Sequence, residues 1–465
     1  MSIGVTDEHE ELAASLRKWA ASLGAIEAIR AAEGRVDERF DDIWAAVEEM
    51  GVTAIAVPES AAGGGGTVLD QAVALEACAY ELVPGGLLGA AIGATLAGAP
   101  GRHSVRVHPD GVVWDGGTAG SAEPVAGVDL SARHGAPTPV GGETDERVRR
   151  TAVTLAAAEA SGVARWCLDT AVEYAKVREQ FGKPIGSFQA IKHLCAEMLE
   201  TAEAVTAAAW DAASAATVLG PGEGDDEQWA FAVDVAATVC FDGAVEVAKS
   251  CVQVLGGIGF TFEHDAHLYL RRAMSLRALV GSADAAAARL TAAAVDGVRR
   301  RLDVDLGGLD EPLRPDARAT AERIAALPAD EQRAALVETG YLTPHWPAPY
   351  GLAADPVTQV VIDQELARAG VTRPDLVIAG WAVPTILQHG TDEQRERFVR
   401  PSLLGELTWC QLFSEPGSGS DLASLRTRAT RVEGGWSLSG QKVWSSVAER
   451  ADWAICLART DAEAP

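Results

Sequence analysis

Phe413-Ser414-Glu415-Pro416-Gly417-Ser418-Gly419-Ser420-Asp421 is the stretch on which the reading of this chain turns. Gly417 and Gly419 let the backbone turn tightly and approach a ligand with no Cβ in the way. Ser414 and Ser420 offer hydroxyls, and the neighbouring N–H groups can cradle an anion. The same composition also describes an ordinary Ser/Gly turn. Further on, Gly435-Trp-Ser-Leu-Ser-Gly440 alternates like a strand and runs into Gly440-Gln441-Lys442-Val443-Trp444-Ser445-Ser446. Trp444 there offers a flat aromatic face flanked by hydroxyls; the plainer alternative is a core indole, the commoner fate of that residue.

Around these segments, long helical periods dominate. Val163, Trp166, Cys167, Ala171 and Tyr174 fall on one face, and so do Phe188, Ile191, Cys195, Met198, Ala202 and Val205. A third Ala/Val-rich run extends from Trp229 to Leu255 and stops at Gly256-Gly257, good helix-ending chemistry. Such stacked helices predict a four-helix-type bundle from about 146 to 302. Residues 103–145 differ, being rich in Gly, Pro and Val (His103-Ser-Val-Arg-Val, Gly111-Val-Val-Trp114), and fit a few short strands. Residues 303–322, with Gly307-Gly308, Pro312, Pro315 and many charges, read as a linker.

An internal repeat links the two ends. Gly51-Val-Thr-Ala-Ile-Ala-Val-Pro58 matches Gly340-Tyr-Leu-Thr-Pro-His-Trp-Pro347 at an offset of 340 − 51 = 289, and Glu76 carries to Glu365 at the same offset. In the second copy Asp355 reads as an N-cap with Pro356 at the first helical position and Gly370 past the end. Thr391-Asp-Glu-Gln394 reads as a capping box. The expected organisation is therefore a helical domain over 1–102, a reduced β region over 103–145, a bundle over 146–302, a linker over 303–322, a second helical domain over 323–408, and a partial β domain over 409–465.

Composition sets bounds. The chain has 465 residues, 48% of them hydrophobic, and a net charge of -27. That charge argues against nucleic acid as the main partner, and leaves room for a local cationic pocket. The seven cysteines form no C-x-x-C pair and mostly sit in apolar helical runs, which reads as free thiols in a reducing cytoplasm. The N-terminus carries Asp7, Glu8, Glu10 and Glu11 and no basic n-region, so no signal peptide is expected. Val83 to Gly101 is uncharged but interrupted by Pro84 and Pro100, which predicts a buried helix with loops and no membrane insertion. His264-x-x-His267 lacks a third ligand and reads as a solvated helix start, so no metal is expected. Gly63 to Gly66 lacks the Lys-Ser/Thr of a phosphate loop and reads as flexible.

The segments 413–421 and 440–446 together resemble the β-domain signature of the acyl-CoA dehydrogenases. The first copy carries Tyr174-Ala-Lys-Val-Arg178-Glu-Gln-Phe181-Gly182-Lys-Pro-Ile-Gly-Ser-Phe-Gln189 and Gln253-Val-Leu-Gly256-Gly257-Ile-Gly259-Phe260, which resemble that family's two adenine-side motifs. The resemblance implies a mainly helical fold with a small β domain: an N-terminal helical domain, a β domain and a C-terminal four-helix bundle, here one copy plus part of a second. It implies FAD as cofactor. Backbone at Phe413 and Ser414 would bond the flavin's polar edge, Gly419 and Ser420 would meet pyrophosphate, and Trp444 and Ser446 would flank the ring. Arg178 would pair with the diphosphate, as a guanidinium forking onto phosphate can; a helix-end Arg capping carbonyls is the plainer reading. Phe181 would lie beside the adenosine, with Gln189, Gln253, Gly256 and Gly257 completing that end.

The resemblance further implies α,β-dehydrogenation of an acyl-CoA thioester, with a carboxylate taking the α proton, the β hydride passing to flavin, and oxyanion-type stabilisation of the thioester oxygen. An electron-transfer flavoprotein would reoxidise the flavin; an oxidase is the variant that oxygen reactivity would separate. Two positions depart from the pattern. The family's catalytic Glu precedes a Gly, yet Val280 stands before Gly281; the alternative site falls near Ala152. No catalytic residue is therefore expected in the first copy. The chain ends at Pro465 inside the second β domain, and completing that copy would take roughly 250 more residues, where the Glu is expected. The fragment is expected to be inactive alone. Fused double-copy members resemble actinobacterial enzymes of steroid side-chain thioesters, which points to a bulky acyl group and to a homodimer or pseudo-tetramer of copies. The other reading is a non-catalytic FAD-binding partner of another dehydrogenase subunit.

Overall fold

A computed structural model describes residues 5–35, 40–101, 106–108, 111–113, 124–125, 127–132, 134–135, 146–217, 226–301 and 306–461. The chain divides into two compact units, Met1–Asp303 and Val304–Pro465.

The first unit begins with α1 (Asp7–Ala21), α2 (Ala25–Ala31), α3 (Asp41–Met50), α4 (Val68–Tyr80) and α5 (Leu87–Ala97). Thr67 caps α4 by accepting from Asp70 N while Asp70 reaches back to Thr67 N, a reciprocal box. The apolar run after Val83 is α5, with Leu87, Ala91 and Ile92 buried. Of the expected β region, the described parts are β1 (Arg106–His108) paired antiparallel with β2 (Gly111–Val113), and β3 (Pro124–Val125) paired with β4 (His134–Gly135). The start of the first expected strand, His103 to Val105, and Trp114 at the end of the second lie outside the described residues.

The bundle follows as α6 (Glu146–Val177), α7 (Gln189–Thr217), α8 (Asp226–Leu255), α9 (Ala266–Val280) and α10 (Ala283–Val295). Small residues let these helices approach closely: at Gly162 of α6 a Cβ would stand 2.2 Å from the Glu76 carbonyl of α4. The stripes expected from periodicity turn inward, with Val163, Cys167, Ala171, Met198, Ala202 and Val205 buried. Phe241 and Tyr269 are fully buried among them, each worth about 1.5–3 kcal/mol of burial. Gly256 ends α8 at φ +64°, a conformation L side chains resist.

The second unit contains α11 (Arg314–Ala325), α12 (Ala329–Glu338), α13 (Pro356–Arg368), α14 (Ala379–His389) and α15 (Asp392–Leu404). The stretch expected as a linker to residue 322 thus holds most of a helix. Pro315 sits in its first turn, where a missing N–H costs nothing, and Arg314 pairs with Asp310 and Glu365. The repeat is visible in the elements: α3 starting at 41 and α4 at 68 map by 289 to 330 and 357, against observed starts at 329 and 356. Gly51 and Gly340 both follow a helix at positive φ, +72° and +75°. Asp355 caps α13 through Thr358 N at 2.9 Å, and Thr391 and Gln394 form the expected box on α15.

Beyond α15 the chain turns to strands. β7 (Trp409–Leu412) pairs in parallel with β10 (Trp453–Cys456), while β8 (Arg428–Val432) and β9 (Gly435–Ser439) form an antiparallel hairpin. Trp409 is buried and donates to Ser402 Oγ at 2.8 Å, tying the sheet to α15.

Candidate functional site

In the first unit the candidate residues gather at two chain reversals. After α6, Arg178 leads into a hairpin of β5 (Glu179–Gln180) and β6 (Lys183–Pro184). Its two-residue turn is Phe181-Gly182, with φ of +53° and +77°, the left-handed pair that matches strand twist. Gly182 takes that conformation freely; Phe181 does not, and holding it there costs about 1–3 kcal/mol. The ring is also 93% exposed, so the chain's own packing returns little for the strain. Phe188 lies edge-on at 6.0 Å, and Lys183 Nζ sits 4.4 Å over the Phe188 ring. Arg178 is exposed, and its backbone carbonyl accepts from Ile185 N at 2.7 Å, closing the hairpin. Gln189 opens α7, exposed, with its amide 2.5 Å from the His193 ring.

At the second reversal Gln253 is exposed on the last turn of α8. A Cβ at Gly256 or Gly257 would meet nothing within 4 Å. Positive φ accounts for Gly256. Gly257, in ordinary helical geometry, has no internal reason to lack a side chain, and nearby Phe260 is 90% exposed.

In the second unit the two loops are tied together. Val443 N donates to Ser414 O at 2.9 Å, and Lys442 Nζ donates to Phe413 O at 2.9 Å. Trp444 follows at φ +60° with 91% of its side chain exposed. A core indole is therefore excluded within this unit. Ser414 and Phe413 are half-buried; Gly419, Ser420 and Ser446 are exposed. A Cβ at Gly417 or Gly419 would again meet nothing within 4 Å, and neither has positive φ.

The pair holding these loops was not visible as a pair in the sequence. Lys442 Nζ also donates to Glu415 Oε1 at 2.9 Å, both side chains being about nine-tenths buried. Glu415 further accepts from Thr427 Oγ1, Arg426 N and Thr427 N at 2.6, 2.6 and 2.8 Å. These donors, the Thr427 hydroxyl first, hold its carboxyl down to about 2. Gly440 makes room for this: a Cβ there would stand 2.2 Å from Thr427 Oγ1.

Val280 and Ala152 stand at the two positions where the family pattern would have a base. Val280 ends α9 and is half-buried, with Gly281 at φ +90°, and Ala152 is fully buried. Two buried carboxylates of this unit have partners. Glu159 of α6, missed in the sequence, is held by Arg272 at 3.1 Å; Arg272 also donates to Asp129 at 2.6 Å. Burial pushes the Glu159 carboxyl up. Glu76 is likewise raised by burial, and Trp210 Nε1 donates to it at 2.7 Å. Its repeat partner Glu365 is lowered instead, by Arg318 first and then Arg314. His264 Nδ1 accepts from Ala266 N at the start of α9. Among the described residues no group of three or more His, Cys, Asp or Glu could hold a metal, and no single helix is long and apolar enough to cross a membrane.

Family models match in three parts: "Acyl-CoA dehydrogenase, N-terminal domain" over 6–100 and again over 309–406, "C-terminal domain" over 149–295, and "middle domain" over 410–465. The chain is 46% identical over 519 residues to acyl-CoA dehydrogenase FadE34 of Mycobacterium tuberculosis, covering 99% of this chain and 72% of that protein. It is 34% identical over 300 residues to acyl-CoA dehydrogenase IpdE2 of the same organism, covering 57% and 89%. Among solved structures, a variant of the Tcur3481-Tcur3483 steroid ACAD has a TM-score of 0.50 at 21% identity, over 62% of this chain and 99% of that one. Glutaryl-coenzyme A dehydrogenase in its glutaryl-CoA complex has a TM-score of 0.50 at 18% identity, over 65% and 98%. At these identities the likeness is one of fold.

Proposed function

The chain belongs to the acyl-CoA dehydrogenase family, and we propose that its two units each present a half-site for the family's cofactor, FAD. The nucleotide half lies on the first unit, at Arg178, Phe181, Gln189, Gln253, Gly256 and Gly257. The flavin half lies on the second, at Phe413, Ser414, Gly419, Ser420, Trp444 and Ser446. The observation that carries the reading is Trp444: a large apolar ring 91% exposed on a left-handed backbone that its neighbours hold in place. Exposure and strain together, with no internal return, mark a surface shaped for a partner. Phe181 repeats the pattern in the other unit.

The residues suit the group. Open backbone at Gly257, Gly417 and Gly419 admits a close approach by a ligand. An exposed guanidinium at Arg178 in a chain of net charge -27 supplies local attraction for a diphosphate. When bound, FAD supplies the hydride acceptor for dehydrogenation of an acyl-CoA thioester. The protein's part is to bind and orient, and to place a carboxylate at the α proton. At Val280 and Ala152, the two positions the family pattern points to, the first unit has no carboxylate, and the chain of 465 residues is expected to bind FAD with little turnover. The resemblance to fused double-copy members supports a bulky, steroid-like acyl group, and family membership supports an electron-transfer flavoprotein as acceptor.

Val280 also favours a second reading, a non-catalytic FAD-binding partner of another dehydrogenase. Anaerobic mixing of the FAD-loaded protein with acyl-CoAs of several sizes separates the readings. Flavin bleaching by a thioester when the carboxylate is supplied on the same chain supports the enzyme, and bleaching only when a separate dehydrogenase subunit supplies it supports the partner. Rapid bleaching by the 465-residue chain alone sinks the assignment of a missing base, and failure to bind FAD at all sinks both.

A further inference from the structure

We propose that the Glu415–Lys442 ion pair is a positioning pair, which sets the Phe413-Ser414 backbone and the Trp444 loop at one fixed spacing so that both meet the same planar ligand. The proposal rests on the flavin half-site assigned above and concerns residues that touch no ligand in that assignment.

The geometry separates two jobs within one cluster. Glu415 gathers three donors from the two residues just before β8, namely Arg426 N, Thr427 N and Thr427 Oγ1. Those bonds fold the 415–427 loop upon itself and do not involve the Trp444 segment. The Lys442 side chain joins that loop to the other one, donating to Glu415 Oε1 and Phe413 O, both at 2.9 Å. The next residue, Val443, donates to Ser414 O, and the one after is Trp444 at φ +60°. Val447, a β-branched residue, is also left-handed at φ +59°. Two such residues in one loop persist only where the surroundings over-determine them. With 91% of the Trp444 side chain exposed, its own packing cannot be what holds it. The anchor lies two residues before it, at a Lys whose side chain is 8% exposed. Gly440, pressed against Thr427 Oγ1, keeps the two strands' ends close enough for the ammonium to reach both acceptors.

Lys442→Met is the discriminating variant. It removes the tie while leaving Glu415 with its three other donors, so the 415–427 loop keeps its bonds. Two measurements are made on the full 465-residue chain. Amide hydrogen exchange without added FAD is expected to show Val443 exchanging at least about tenfold faster than in the parent, with Arg426, Thr427 and the helices of residues 146–301 at parent rates. FAD titration is expected to show binding weaker by at least about tenfold and a diminished visible circular-dichroism band of the bound flavin. Val443 exchange within about twofold of the parent overturns the proposal. So does FAD binding within about twofold with an unchanged flavin band. If the parent itself binds no FAD, the functional reading falls, and the exchange rates still decide whether Lys442 positions the loop.

Discussion

Replacing Trp444 by Ala is expected to leave folding almost untouched and to weaken FAD binding severely. The side chain is 91% exposed. A Trp buries at most about 250 Å², so the chain covers roughly 20 Å² of it, worth ~0.5 kcal/mol at about 25 cal/mol per Å². Ala remains at positive φ, so the backbone strain is not relieved, and the net change in stability is expected within about 1 kcal/mol. If one indole face packs on the flavin, on the order of 100 Å² leaves water on binding, which corresponds to ~2.5 kcal/mol or ~70-fold in Kd. Urea unfolding followed by far-ultraviolet circular dichroism measures the first quantity, and titration of flavin fluorescence the second. A variant that loses several kcal/mol of stability, or binds FAD as tightly as the parent, would show that the indole serves the fold and not the cofactor.

Three further outcomes rest on buried groups and close approaches. Arg272→Met leaves Asp129 and Glu159 buried without their cation, and is expected to destabilise the first unit by about 3–5 kcal/mol in denaturant titration; adding Glu159→Gln should recover part of that loss. Glu76 has a folded pKa raised by burial above its usual 4.5, so its contribution is fully present below that value and is lost as pH rises through the raised one. Glu76→Gln, which keeps an acceptor for Trp210, is therefore expected to gain on the parent in melting temperature at about pH 8 and to lose that advantage near about pH 4; an advantage independent of pH contradicts the assignment. Gly440→Ala puts a Cβ 2.2 Å from Thr427 Oγ1, and is expected to weaken FAD binding through displacement of Glu415's donor, with helix content unchanged by circular dichroism.

What could be read from the chain follows how local each signal is. Caps and stops are short-range chemistry, so Asp355, the Thr391–Gln394 box and Gly256 are where the sequence places them. Helix faces repeat every few residues, so Val163, Cys167 and Ala171, or Met198, Ala202 and Val205, are legible as core. The 289-residue repeat is legible because Gly51 and Gly340 each take a left-handed backbone. Helix α11 was hidden because Pro315 and the charges around it resemble a linker, whereas Pro in a first turn and Arg314 bridging to Glu365 are what stabilise it. Long-range pairings were not legible at all. Arg272 meets Asp129 and Glu159 across separations of 143 and 113 residues, and Lys442 meets Glu415 across 27. Pattern within a helix or strand says nothing of such partners, so the motif residues were visible while the pair that holds their loops was not.

Equilibrium dialysis against FAD decides whether both half-sites bear on cofactor binding, the cation and open backbone in one repeat and the indole in the other. It is run in parallel on the parent, Arg178→Met and Trp444→Ala. The account predicts binding weaker by at least about tenfold in each variant with the parent's melting temperature retained. Parent affinity in either variant contradicts it.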